Sequence, residues 1–456
     1  YSNKKDKKKK VGISVQADCG FYLAMPSFPE AFDMLSALII CNVFLFAVFL
    51  LCYLHQFFYP FLLLSRPKPA FKARQNHRYA VLICARNEQL VLPKLIDSIR
   101  HQRYPTELLD AYVVADNCTD NTAGAARRAG AVVYERFNQG QVGKSYALDF
   151  LLQQIRRDKG LDFYEAYFIF DADNLLDPYF VAEMNAYYDA GFPAAVGYRN
   201  SKNYGDNWIS AGTALLFLRD SALVNGPRMR LGLGCSVTGT GYMISSALLM
   251  KDQGWKYHTL TEDVEFSVQC ALQGQRIGYC EDAIFYDEQP TRFVDSWRQR
   301  IRWVKGAFQV FGRYYGKLLK TAVAEKRFTC YDQLMSVMPA MCSAVAVTAV
   351  YLLFILLSLF FSPSELPAVL LCAAVLICAF GLAFAFFGLL TTLSQWNRIH
   401  CSTRKKIWYI FTFPVYSMFY LPIVLVSLFQ KVEWKPVAHV DASSVEDIQQ
   451  ETAKET

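Results

Sequence analysis

The chain is 456 residues long, 53% of them hydrophobic and 15% aromatic, and it carries a formal net charge of +7. This composition excludes an ordinary cytosolic enzyme and leaves room for one sizeable soluble domain together with several membrane spans. The basic residues cluster beside long uncharged runs, so we expect membrane lipids as partners and no nucleic acid. The 13 cysteines form no paired framework, which is typical of small buried residues in a reducing compartment.

Four stretches lack Asp, Glu, Lys and Arg over a length that can cross about 30 Å of hydrocarbon. They cover residues 34–65, 335–364, 366–397 and 407–430. We expect one span in the first stretch and three near the C-terminus, with Pro414 and Pro422 permitting a re-entrant hairpin in the last. Basic residues follow the first span and fill the loop between the last two. The positive-inside rule therefore predicts an integral protein of the plasma membrane whose soluble domain is cytoplasmic.

The soluble part alternates strand and helix patterns in the manner of an open α/β sheet. Residues 79–84 are a continuous apolar run, as expected of a buried parallel strand, and Glu88 follows it. The next strand, residues 112–115, ends at Asp116. Ligands of such sheets bind outside the carboxyl ends of the strands, so Glu88 and Asp116 are candidate binding residues.

The sequence Gly143-Lys144-Ser145 resembles the end of the P-loop of nucleoside triphosphatases, but the glycine spacing excludes that motif. A P-loop requires a glycine at position 138, which is Asn here. Lys144 at the start of a helix remains a candidate contact for a phosphate of another nucleotide. A solvated loop lysine is the alternative.

Two acidic clusters follow. An apolar strand, residues 167–170, ends at Asp171 and Asp173, whose hard oxygen ligands suit a divalent cation held against a diphosphate. The alternative is a helix cap with neighbouring loop acids. Glu262 and Asp263 come directly after Thr261, a predicted N-cap, and we expect the helix dipole to keep Asp263 ionised, as a general base must be.

The pentad Gln299-Arg300-Ile301-Arg302-Trp303 precedes the second uncharged stretch. On a helix, Gln299, Arg302 and Trp303 share one face. A guanidinium binds phosphate in a forked geometry, and an indole offers a flat apolar surface for a sugar ring. Taken alone, the pentad also fits an amphipathic helix, and the apolar spacing of residues 295–311 predicts that this segment lies along the membrane surface.

These clusters, in this order, resemble the inverting, membrane-integrated glycosyltransferases of family two, which include cellulose, chitin and hyaluronan synthases. The resemblance covers about residues 79–306. It implies a GT-A type α/β domain inserted between transmembrane helices, a UDP-sugar donor, and Mg²⁺ or Mn²⁺ as the cofactor.

The resemblance also implies roles for individual residues. Glu88 and Asp116 would hold the uridine, and Lys144 would approach the diphosphate. Asp173 would bind the metal with Asp171 in support, and Asp263 would deprotonate the acceptor hydroxyl. Glu262 joins the substrate-binding set, and Gln299, Arg302 and Trp303 would close the site, with Arg302 on the diphosphate and Trp303 under the acceptor sugar.

Two acceptors stay open. The complete pentad and three C-terminal spans favour a processive synthase that transfers a hexose, with a lean toward UDP-glucose, to a growing β-linked polysaccharide and secretes it. The absence of a Phe-x-Val-Thr-x-Lys segment after the pentad disfavours cellulose. The alternative is a non-processive enzyme that glycosylates a lipid such as a ceramide or a polyprenyl phosphate. An inactive transport or scaffold subunit is a third possibility, and the joint presence of Asp173, Asp263 and Arg302 argues against it.

The predicted organisation has six parts. They are an N-terminal basic segment (1–33), a first transmembrane helix (34–65), the cytoplasmic GT-A domain (66–290), amphipathic interfacial helices (291–334), three transmembrane helices (335–430) and a polar C-terminal tail (431–456).

Overall fold

The structure is a computed structural model that describes residues 33–448 apart from 338, 433–438 and 440. Almost all of the predicted N-terminal basic segment and parts of the predicted C-terminal tail lie outside the described residues.

The described chain contains eight strands that form one sheet. They are β1 (Tyr79–Ala85), β2 (Leu109–Asp116), β3 (Val132–Arg136), β4 (Ala166–Asp171), β5 (Leu175–Leu176), β6 (Ala194–Ser201), β7 (Tyr242–Ser245) and β8 (Ile277–Asp287).

The α-helices precede, separate and follow these strands. They are α1 (Met34–Phe57), α2 (Tyr59–Ser65), α3 (Leu92–Arg100), α4 (Thr122–Ala129), α5 (Lys144–Asp158), α6 (Phe180–Asp189), α7 (Trp208–Arg219), α8 (Gly226–Leu231), α9 (Ser246–Lys251), α10 (Glu262–Leu272), α11 (Phe293–Ala324), α12 (Phe328–Val337), α13 (Pro339–Phe361), α14 (Leu366–Ser394), α15 (Thr403–Met418) and α16 (Tyr420–Phe429).

The sheet is mixed, with the strand order β3-β2-β1-β4-β7-β6-β8-β5. The first four strands in this order are parallel, and β7 runs antiparallel to both of its neighbours. Helix α5 packs on β1 and β2, while α6 packs on β6 and β8. Strands β1 and β4 are apolar along almost their whole length because both faces of the sheet are covered. The predicted open α/β fold is confirmed.

The first two parallel strands end in a similar backbone turn. Asn87, just after β1, has φ of 60°, and Asn117, just after β2, has φ of 52°. This left-handed conformation is uncommon outside glycine but accessible to asparagine. The Asn87 side chain accepts a hydrogen bond from the backbone of Thr119 at 2.7 Å, so the two loops support each other at the carboxyl edge of the sheet.

Four helical segments are long and apolar enough to cross a membrane by length and composition: Met34–Leu63, Cys342–Phe361, Pro363–Ser394 and Thr403–Phe429. They overlap the four stretches predicted from the sequence. A buried cluster ties the first of them to the rest of the chain. Arg228 pairs with Asp332 at 2.6 Å, and the same carboxylate accepts from Tyr59 at 2.8 Å. Removing one partner of such a buried pair leaves an unpaired buried charge, which lowers the stability of the fold.

The amphipathic segment after the sheet forms one 32-residue helix, α11. Its Ile301 and Val304 pack against Ile423 and Val424 of α16. The apolar face of α11 therefore meets another helix of the same chain along this part of its length. Its placement at the membrane surface stays a prediction.

Part of the predicted C-terminal tail packs on the domain. Val445 and Ile448 are buried against Leu175 and Tyr286. This contact brings His439 to the carboxyl edge of the sheet.

Candidate active site

One cavity of about 1580 Å³ lies beyond the carboxyl ends of β1, β2 and β4. Every site residue predicted from the sequence lines it: Glu88, Asp116, Lys144, Asp171, Asp173, Glu262, Asp263, Gln299, Arg302 and Trp303. For the residues at or after the ends of β1, β2, β3 and β4 this convergence follows from topology, because parallel strands deliver their following loops to one edge. The other five residues are brought to that edge by α10 and α11. The structure therefore brings the predicted set together, and the role of each member stays a prediction.

Lys144 opens α5 and pairs with the Asp171 carboxylate. Its ammonium also donates to the carbonyl of Gly239 at 2.7 Å. Burial acts against ionisation of Asp171, but the Lys144 charge outweighs it and lowers the pKa of that carboxyl. Asp171 is thus an ionised carboxylate at neutral pH, and Lys144 is anchored within the site.

Asp173 is 3% exposed and accepts a hydrogen bond from the backbone N–H of Glu288 at 3.1 Å. Burial raises its pKa, and the Asp171 carboxylate adds to that effect. The Asp171 and Asp173 carboxylates therefore repel each other unless a cation is shared between them.

Among the described residues, no group of three His, Cys, Asp or Glu side chains is arranged to hold a metal ion. Asp173 and Asp171 nevertheless have the chemistry of a divalent-cation site, because hard cations prefer carboxylate oxygens and usually take further ligands from substrate phosphates or water. The two carboxylates fit such a cation if a diphosphate completes its coordination.

Asp116 ends β2 and is fixed by Arg136, whose Nη1 donates to it at 2.6 Å. Glu88 lies across the same opening. Its backbone N–H is 2.9 Å from the Thr122 hydroxyl, and its Oε2 is buried without a partner in the described chain. Glu88 therefore offers a free acceptor to a ligand.

His439 is a site residue that the sequence analysis missed. Its Nδ1 lies 3.0 Å from Glu88 Oε1. Burial opposes its protonation, but the Asp173 and Glu88 carboxylates prevail and raise the pKa of His439 to about 10. An imidazolium therefore stands among the acidic residues. The spacing of Val445 and Ile448 signals an amphipathic turn, but nothing local identifies the surface on which it packs.

Glu262 and Asp263 form the first turn of α10. Burial and the neighbouring Asp263 charge raise the pKa of Glu262 to about 7. Burial also raises the pKa of Asp263, against the opposing effect of the Val264 backbone N–H. Desolvation therefore outweighs the stabilisation by the backbone at the helix N-terminus, and the prediction that Asp263 is ionised stays a prediction. A base of raised pKa accepts a proton more readily.

Thr261 occupies the N-cap position of α10 as predicted, but its hydroxyl makes no capping bond. The start of this helix is held from α11 instead. Gly306 of α11 approaches so closely that a Cβ there would lie 2.5 Å from Thr261 Oγ1. The first turn of α10, which carries Glu262 and Asp263, thus depends on the position of α11.

The pentad divides between two faces of α11. Arg300 is fully buried and donates to the carbonyl of Tyr416 at 3.0 Å, away from the cavity. Gln299, Arg302 and Trp303 face the cavity, as the helical spacing predicts. Arg302 donates to the Leu260 carbonyl at 3.1 Å, and Gln299 Oε1 is buried without a partner in the described chain. A polar ligand in the cavity would satisfy that oxygen.

Comparison with known proteins identifies the family of the chain. A model of "Glycosyl transferase family group 2" matches residues 168–421, and one of "Glycosyl transferase family 2" matches residues 80–246. The beta-monoglucosyldiacylglycerol synthase of Synechocystis is 23% identical over 52% of this chain and 49% of its own length. The poly-beta-1,6-N-acetyl-D-glucosamine synthase of Staphylococcus aureus is 21% identical over 59% of this chain and 64% of its own length. The chain thus spans about half to two thirds of the length of these curated relatives.

A solved structure supports the fold. The mannosyltransferase PcManGT from Pyrobaculum calidifontis, in complex with GDP-Man and Mn²⁺, superposes with a TM-score of 0.56 at 17% identity, covering 87% of this chain and 99% of that one. At this identity the likeness shows the GT-A type fold alone. With more than half of the chain matched by one family model, this protein belongs to glycosyl transferase family group 2.

Proposed function

We propose that the protein transfers a hexose from a UDP-sugar to a hydroxyl group of a membrane lipid, with inversion at the anomeric carbon. The observation that carries this proposal is the continuity of the cavity beyond Trp303 into a chamber between α1, α13 and α14. The walls of the chamber are mostly aromatic and aliphatic, with exposed side chains at Val43, Phe46, Ile377 and Phe380 and half-buried ones at Phe49 and Phe384, so the chamber is open at its sides.

Such walls suit an acyl chain better than a polysaccharide. Burying a methylene group is favourable by about 0.8 kcal/mol, whereas sugar hydroxyls that leave water need hydrogen-bond partners. Two polar side chains that line the chamber already make hydrogen bonds between or within helices. Asn42 donates to Tyr351 at 3.0 Å, and Thr348 donates to the Ala344 carbonyl at 2.8 Å.

The proposed reaction forms a bond between the acceptor oxygen and the anomeric carbon while the bond from that carbon to the β-phosphate oxygen breaks. Asp263 takes the acceptor proton, and UDP leaves with the electron pair of the broken bond. Arg302 and Lys144 stabilise the negative charge that develops on the diphosphate. A bound Mg²⁺ or Mn²⁺, held by Asp173 with Asp171 in support, would neutralise part of that charge. Glu88 and Asp116 hold the uridine.

The second candidate is the processive synthase. The cavity-facing Gln299, Arg302 and Trp303 favour it, and one relative is named as a polymer synthase. In both candidates we place the catalytic domain on the cytoplasmic side of the plasma membrane.

Product size separates the two functions. Purified protein in liposomes that contain diacylglycerol or ceramide would be incubated with a panel of radiolabelled UDP-sugars, and the product would be followed over time. We expect a lipid-extractable product with one sugar at every time point. Long water-soluble chains that form without added lipid acceptor would refute the lipid proposal and support the polymer synthase.

A further inference from the structure

The Arg199 side chain is fixed at every nitrogen although it belongs to no predicted motif. It is 8% exposed, at the end of β6. Its Nε donates to Asp287 Oδ2 at 3.0 Å, its Nη2 donates to the same oxygen, and its Nη1 donates to the Thr238 carbonyl at 2.5 Å. Asp287 also accepts from Asn174 at 2.7 Å and from Gln289 at 2.6 Å. These hydrogen bonds therefore fix the conformation of the Arg199 side chain.

One face of this guanidinium is covered by an aromatic ring. The Arg199 Cζ lies 3.5 Å from the centroid of the Phe217 ring. The Phe217 ring in turn meets Trp303 in an edge-to-face contact, with 5.5 Å between centroids and 73° between planes. Cation–π and edge-to-face contacts both prefer particular ring orientations. Phe217 thus transmits the fixed position of Arg199 to the indole.

The same framework holds the acidic end of the site. Asp287 is followed by Glu288, whose backbone N–H binds Asp173 at 3.1 Å. Asn174, which donates to Asp287, accepts from the backbone N–H of Asp171 at 3.2 Å. The Arg199–Asp287 ion pair therefore holds both the Asp171 and Asp173 carboxylates and, through Phe217, the indole of Trp303.

We propose that Arg199 and Phe217 are positioning residues for sugar transfer, which hold Trp303 in register with Asp171 and Asp173 so that the acceptor is aligned with the donor. This inference rests on the proposed function, in which the acceptor lies beside Trp303. Neither side chain is assigned a contact with substrate. Their effect is orientational, and a misplacement of about 1 Å can cost on the order of 10²-fold in rate.

The test compares transfer with hydrolysis of the UDP-sugar by water, since water needs no platform. Phe217→Leu keeps an apolar side chain but removes the ring. We expect transfer to fall about tenfold or more, with hydrolysis and UDP affinity within about twofold of wild type. Phe217→Tyr retains the ring and should restore transfer. Arg199→Lys cannot reproduce the two bonds to Asp287, so it should lower transfer at least as much as Phe217→Leu and, because Asp287 also holds the acidic end of the site, lower hydrolysis as well.

Phe192→Leu is the matched control. Phe192 also lies beneath an arginine, with Arg276 Cζ at 5.1 Å, but it does not line the cavity. It should leave the ratio of transfer to hydrolysis unchanged. A double-mutant cycle adds a second measurement, because Phe217→Leu should cost little further transfer once Trp303→Ala has removed the indole.

The outcomes are distinct. If Trp303→Ala lowers transfer and Phe217→Leu does not, the positioning role is refuted while the proposed function stands. If Phe217→Leu lowers transfer and hydrolysis equally, its role is general stability and the inference also fails. If Trp303→Ala leaves transfer unchanged, the acceptor does not lie there, and the proposed placement falls together with this inference.

Discussion

His439 Nδ1 lies 3.0 Å from Glu88 Oε1 although 351 residues separate the two side chains in the chain. The contact places an imidazolium beside the carboxylates that we assign to the donor and its metal. The first prediction follows from this charge.

Replacing His439 by Gln keeps a hydrogen-bond donor and removes the positive charge. Because that charge competes with a divalent cation for the same carboxylates, we expect the Mn²⁺ concentration for half-maximal activity to fall about three- to tenfold, equivalent to roughly 1 kcal/mol. This concentration is measured by following UDP-sugar hydrolysis as Mn²⁺ is titrated into the wild type and the variant. His101→Gln, at a histidine whose side chain is 75% exposed and lies outside the cavity lining, is the control. An unchanged or higher Mn²⁺ requirement would contradict the competition.

Asp263→Asn should lower transfer by about 10²- to 10⁴-fold and leave UDP binding near the wild-type value, because the base acts on the acceptor. Asp173→Asn should instead weaken metal-dependent UDP binding. Calorimetric UDP titration with and without Mn²⁺, beside a transfer assay, separates the two variants. An Asp263→Asn protein that loses UDP affinity but keeps turnover would reverse the assigned roles.

The raised pKa of Glu262 leads us to expect that the stability of the fold depends on pH. Its pKa is raised from 4.5 to about 7, so between these values the folded state holds a proton that the unfolded state releases. Stability therefore falls as the pH rises through this window. In Glu262→Gln the unfolding midpoint in detergent should drop less between pH 5 and pH 8 than in wild type. The exposed Glu135, replaced by Gln, should leave the drop as it is; equal drops in all three proteins would exclude Glu262 as the cause.

Gly306→Ala tests the dependence of α10 on α11. The added methyl group would lie 2.5 Å from Thr261 Oγ1 and 2.8 Å from the Thr261 backbone N, so one helix must move. We expect a loss of stability of about 1–3 kcal/mol and at least about tenfold slower transfer, since Asp263 is in the displaced turn. Gly312→Ala on the same helix meets nothing within 4 Å and should be neutral or stabilising. Equal kinetics in the two variants would argue against this coupling.

The apolar chamber can be filled from α14. Ala383→Trp places a large side chain in the wall of the chamber. The control is Ala374→Trp, which adds the same side chain at an exposed position of α14 outside the cavity lining. With a lipid acceptor, we expect only Ala383→Trp to slow transfer, by about fivefold or more, a cost of about 1 kcal/mol. Hydrolysis of the UDP-sugar should survive in both. Full transfer in Ala383→Trp would mean that the acceptor enters by another route.

The sequence by itself determined the fold class and the family. Both depend on short-range patterns: apolar runs that mark buried strands, acids at their carboxyl ends, and the i, i+3, i+4 spacing of Gln299, Arg302 and Trp303. The rule that parallel strands deliver their loops to one edge was enough to predict that Glu88, Asp116 and Asp173 meet. The structure confirms the fold and that meeting, while the chemical roles stay predictions.

Only the tertiary structure decided which charges neutralise each other and what surrounds them. Lys144 pairs with Asp171, and His439 reaches Glu88, through contacts between segments distant in the chain that no local pattern encodes. The raised pKa of Asp263 has the same origin, because desolvation depends on the whole surrounding volume, whereas the helix dipole can be inferred from position alone. The acceptor route is likewise a property of packing. Uncharged stretches predict spans, but only their arrangement against α11 leaves an apolar chamber open to the site.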